Sequence, residues 1–148
     1  MTVLMAFLHH AAAFVLFSAL VVQLATLKDE PTLASARRLQ RYDMIYGSAA
    51  SVLLVAGLLR VFYFEKGAAY YWSNTAFIAK FVCFILIGLL SIYPTATFLS
   101  WRRSIAAGQA PQISEGARRL LRQVIHTELT LAMLMMALAA MMARGVGA

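Results

Sequence analysis

The stretch TAFIAKFVCFILIGLLSIYPTATFLSW, residues 75–101, carries one charged side chain, Lys80, in an otherwise apolar and hydroxylic run. A helix rises about 1.5 Å per residue and the hydrocarbon core of a bilayer is about 30 Å thick, so about 20 such residues suffice to cross it. The run shows no alternation of apolar and polar residues, which excludes a strand of a membrane barrel. Three further apolar segments lie at 3–27, 43–61 and 121–143, the second reaching spanning length only with its polar ends included. The expected architecture is therefore a single domain, residues 1–148: an all-α, integral membrane four-helix bundle with both termini outside.

Composition agrees. Hydrophobic residues make up 62% of the 148-residue chain and charged residues 13%, against about 25% charged in a soluble domain. The first segment has no basic start and is interrupted by histidines, unlike a cleavable secretion signal. Nine basic residues (Lys28, Arg37, Arg38, Arg41, Arg102, Arg103, Arg118, Arg119 and Arg122) fall in the first and third loops, and three (Arg60, Lys66 and Arg144) in the second loop and C-terminus. Basic loops resist translocation, so the first and third face the cytoplasm and the expected location is the bacterial inner membrane. The net charge of +7 follows from this asymmetry and from contact with anionic lipid, with no nucleic-acid partner implied. The one cysteine, Cys83, excludes an intrachain disulfide, and no Cys-x-x-Cys-His site for covalent haem is present. The aromatic loop YFEKGAAYYW reads as an interfacial belt, and SARRLQRYD as a surface helix leading into the second span.

Ionisable side chains inside spans are costly and mark candidate sites. By helix rise, His9, His10, Lys80 and Arg60 share the outer leaflet, while Asp43, Tyr46, His126 and Glu128 gather in the other. Stripes of small residues mark bundle-facing surfaces. Steps of three and four from Lys80 reach Phe84, Gly88, Ser91 and Thr95; from His126 they reach Thr130, Met133, Ala137 and Ala140. Both Lys80 and His126 are thus expected to face inward. Tyr46, Ala50, Leu53, Gly57 and Arg60 share a face of the second span, and of the adjacent His9 and His10, which diverge by about 100°, one points inward.

Histidines projecting into a membrane bundle suit haem b, whose flat apolar ring fits between helices and whose iron takes one or two axial ligands. The candidate iron ligands are His9, His10, Lys80 and His126, with a His10–His126 pair as one arrangement. Arg60 is placed to meet a propionate, Tyr46 and Glu128 complete the candidate cofactor residues, and Phe14, Phe17, Phe77, Phe81 and Phe84 are candidate ring contacts. The expected role is a membrane redox protein exchanging electrons with a quinone or porphyrinogen. The competing class is copper transport or export, with histidines and methionines as soft ligands. Zinc spacing, a hydrolase triad and a phosphate loop are not found. Stripes such as Gly88 with Ser91 and Gly47 with Ala50 serve intrachain packing or a homo-oligomer equally well.

The segments LHHAAAF, YDMIYGSA, GLLRV, EKGAAYYWSN, FIAKFVCF and LLSIYPTATFLSWRR resemble a bacterial family of small four-span membrane proteins of unknown function. The chain also resembles, more weakly, the HemJ-type protoporphyrinogen oxidases, in which a Leu-His pair opens the first span, Asn-x-x-x-x-Ala-Lys the third and Asn-Glu the fourth. The matching positions are Leu8 and His9, then Asn74, Ala79 and Lys80, then Thr127 and Glu128, with Thr127 standing where that family has asparagine. That resemblance implies His9 and Lys80 as ligands of haem b, and a protoporphyrinogen oxidase-like activity.

Overall fold

The structure is a computed structural model that describes residues 2–64 and 67–145; Lys66 of the second loop lies outside them. Helix α1 (Thr2–Thr26) buries Ala12, Leu16, Ala19, Leu20 and Gln23, a three-and-four spacing that defines one face. The turn through Pro31 delivers Thr32, which caps α2 (Leu33–Leu59): the Thr32 hydroxyl accepts from the Ser35 N–H, and the Ser35 hydroxyl accepts from the Thr32 N–H. Reciprocal capping of this kind satisfies two amides that the helix leaves open.

Helix α2 absorbs the SARRLQRYD stretch, which had been expected as a separate surface helix. No Gly or Pro interrupts residues 33–46, and the buried residues Ala36 and Leu39 continue the packed face of Tyr46 and Ala49. The helix closes in a π-helical turn, Arg60–Phe64. Gly67, at φ 88°, makes the left-handed corner that starts the short helix α3 (Ala68–Ser73). The Asn74 side chain then accepts from the Phe77 N–H at 3.0 Å and caps α4 (Thr75–Ser100). The one-turn α5 (Arg102–Ala106) leads through Gly108 and Pro111 to Ser114, which caps α6 (Glu115–Ala143). Glu115 in the first turn complements the positive end of that helix.

Helix α1 packs chiefly on α2, and α4 on α6; the two hairpins meet through α1 with α6 and α2 with α4. Four helical stretches are long and apolar enough to cross a membrane: Val3–Thr26, Leu33–Tyr63, Thr75–Ala106 and Glu115–Ala143. Large apolar side chains such as Phe7, Phe14, Val55, Leu89 and Ile92 point outward from them, as expected of a surface that meets lipid. Among the described residues the regular structure is all helical.

Packing is uneven along the bundle. At the end that carries the basic loops, Leu27, Leu39, Phe98, Trp101, Leu121 and Ile125 are buried. Toward the end where both termini lie, α1 has no buried residue before Ala12 and α6 none beyond Ala132, among the described side chains. The aromatic loop fills part of that end: Tyr71 is buried against Val61 and Phe77, and Trp72 meets Phe77 and Phe81 edge-on. Tyr63 and Trp72 are exposed as an interfacial belt requires, but Tyr71 belongs to a small core.

Candidate functional site

Among the described residues, two polar clusters lie inside the bundle, apart from the buried cap Asn74. The first sits midway along it. Tyr46 of α2, 5% exposed, donates its hydroxyl hydrogen to Oε1 of Glu128 on α6 at 3.1 Å, and Glu128 is 1% exposed. One turn nearer the basic end, Thr95 of α4 donates to Oδ1 of Asp43 at 3.0 Å. Gln23 of α1, 2% exposed, faces Asp43, and its Nε2 has no hydrogen-bond partner. All four long helices therefore contribute to one buried polar layer. Pro94, buried in α4, lies at the same level, where its missing N–H leaves the Leu90 carbonyl without its helical bond.

The second group lies about 16 Å away, by the helix rise from Tyr46 to Gly57. The His9 ring of α1 rests on α2 at Gly57: a Cβ there would stand 3.1 Å from His9 Cε1 and 3.3 Å from Nδ1. Nδ1 is buried without a hydrogen-bond partner, although the Leu53 backbone lies beside the ring. Glycine at 57 thus lets an imidazole approach the helix backbone more closely than any other residue would allow. Lys80 and Arg60 place their charges within electrostatic reach of His9. Lys80 Nζ also lies 5.9 Å from the centroid of the Phe77 ring, within the range of a cation–π contact.

The other sequence-derived residues are distributed differently. His10 is exposed, and its Nδ1 lies 2.6 Å from the Ala6 carbonyl oxygen. His126 is exposed in the basic half of α6 and lines a cleft with Leu24 of α1, about 21 Å from His10 by helix rise, so the structure does not bring these two histidines together. The expectation that His126 faces inward is corrected: the buried face of α6 is Leu121, Ile125, Glu128 and Ala132, and the His126 stripe is rotated one residue, about 100°, away from it. Phe14, expected as a ring contact, points outward, whereas Phe17, Phe81 and Phe84 are half-buried and Phe77 buried. Tyr46 and Glu128 are bonded to each other, far from His9. Gln23 escaped the sequence reading; its signal was an amide in register with the apolar face of Leu16, Ala19 and Leu20.

The family model described as "Predicted membrane protein (DUF2214)" matches residues 1–147. The chain belongs to this family. No curated protein and no solved structure matches it, so the resemblance to HemJ-type oxidases has no match behind it. Among the described residues of this DUF2214 member, no group of three or more His, Cys, Asp or Glu side chains is arranged to hold a metal ion. A group held by one or two axial ligands makes a smaller demand. His9 has one nitrogen turned to the α2 backbone, the arrangement by which a backbone carbonyl orients the second nitrogen of a metal-binding histidine.

Proposed function

We propose that this protein is a haem b-binding redox protein of the bacterial inner membrane, with the basic loops in the cytoplasm and His9 as an axial ligand. Lys80 would be the second residue to hold the iron, and Arg60 would meet a propionate. The observation that carries the reading is the His9 ring seated on Gly57, with its buried Nδ1 against α2 and no bond to another side chain. That nitrogen lies against the α2 backbone beside Leu53, which would fix the ring's orientation and leave Nε2 as the nitrogen for iron.

The loose packing of the terminal end supports the same reading. Phe81 is only half-buried there, and Phe17 and Phe84 are half-buried at the edge of the main core; they would supply flat apolar contacts for a macrocycle. When bound, haem supplies one-electron chemistry; the chain's own residues hold it, fix the imidazole's orientation and exclude water. The electron partner is a lipid-soluble quinone or porphyrinogen that arrives through the bilayer.

The test is absorption spectroscopy of protein purified in mild detergent and supplemented with haem. The expected result is a strong Soret band with visible bands that sharpen on reduction, both lost or shifted in His9→Ala. A preparation that takes up no pigment, or a His9→Ala variant with an unchanged spectrum, would remove the reading.

A further inference from the structure

The face of α6 that carries His126 leads to a second site. Between the end of α1 and the first turns of α6 lies a cleft of about 590 Å³, lined by Leu24, Lys28, Arg119, Arg122, Gln123, His126 and Thr127. Three permanent cations and a histidine line it, and no carboxylate does. Glu115, on the same turns of α6, is already bonded to Arg118, whose other amino group donates to the Lys28 carbonyl at 2.7 Å. That pair ties the start of α6 to the end of α1 and leaves the charges of Lys28, Arg119 and Arg122 outside any ion pair among the described residues.

Below the cleft, toward the bilayer centre, α6 presents Thr130, Met133 and Ala137 to the outside. A basic head region at the edge of a span, continued by an exposed apolar stripe on the same helix face, has the shape and polarity of a phospholipid. We infer that this cleft binds an anionic phospholipid, its phosphate held by Lys28, Arg119 and Arg122 and its acyl chain lying along the His126–Met133 stripe. The volume suits a headgroup, and basic pockets between spans on the cytoplasmic side favour anionic heads over zwitterionic ones. The inference is independent of haem and stands or falls without it.

The full chain in mild detergent is titrated with phosphatidylglycerol, phosphatidylcholine and inorganic phosphate. Thermal unfolding is followed, and retained lipid is counted by native mass spectrometry. Phosphatidylglycerol is expected to raise the unfolding temperature and to be retained, while phosphatidylcholine and phosphate have no effect. The double variant Arg119→Gln/Arg122→Gln, both exposed, is expected to weaken phosphatidylglycerol binding about tenfold or more. Arg37→Gln/Arg38→Gln, which removes equal charge from α2 outside the cleft, is expected to bind as the parent does. Equal loss in both double variants would mean a diffuse field and overturn the site. So would absence of a phosphatidylglycerol effect, and an equal response to inorganic phosphate would replace the lipid with a free anion.

Discussion

The middle of the bundle and its terminal end both hold ionisable side chains in an apolar setting, yet they treat them differently. In the middle, Tyr46 bonds Glu128 and Thr95 bonds Asp43, each partner from a different helix. At the terminal end His9 packs on a glycine with a buried nitrogen that no side chain among the described residues satisfies. Polar groups that bond one another across helices fix which helices pair. The middle also holds an unsatisfied atom, Nε2 of Gln23, but beside the Asp43 carboxyl, whereas His9 Nδ1 faces the α2 backbone in a loosely packed region. The difference locates the fold's internal glue at one level and, on the proposed reading, the ligand's place at another.

Four single variants and one double variant put a scale on that contrast, each read by denaturant or thermal unfolding in detergent. Glu128→Ala is expected to lose the most, about 3 kcal/mol, because it opens a cavity and strands the Tyr46 hydroxyl. Replacing both partners, as Tyr46→Phe/Glu128→Leu, should recover most of that loss, since a pair exchanged for apolar groups of similar shape is nearly neutral. Tyr46→Phe alone should cost about 1–2 kcal/mol, leaving a buried carboxyl without its donor. Thr95→Val follows at about 1 kcal/mol, because Asp43 is only half-buried. Smallest is His9→Leu in pigment-free protein, expected within about 1 kcal/mol of the parent in either direction. A His9→Leu loss as large as that of Glu128→Ala would erase the distinction between the two levels.

The four spans were legible because crossing a bilayer demands length and continuous hydropathy, and residues 75–101 show both without ambiguity. Depth was legible too: helix rise alone put Asp43, Tyr46 and Glu128 at neighbouring levels. Rotation about the helix axis was harder. A stripe of small and polar residues marks a packed face only when its neighbours are bulkier, and on α6 the line Leu121, Ile125, Glu128, Ala132 competes with the line through His126. The larger apolar side chains of the first won the interior. The unbroken α2 was missed because residues 33–42 carry arginines that look like a surface, although nothing there stops a helix. The contact of His9 with Gly57 joins α1 to the far end of α2, a pairing of antiparallel register that no local pattern encodes.

Glycine substitution probes the His9 seat without touching a titratable group. In haem-supplemented protein, Gly57→Leu would drive a side chain into the His9 ring, whose Cε1 stands only 3.1 Å from a Cβ at that position, whereas Gly47, on the same helix, has open space around its Cβ direction. The reduced-minus-oxidised spectrum of Gly57→Leu is expected to be lost or shifted while that of Gly47→Leu matches the parent. Identical spectra in all three proteins, or a parent without pigment, would contradict a haem held by His9.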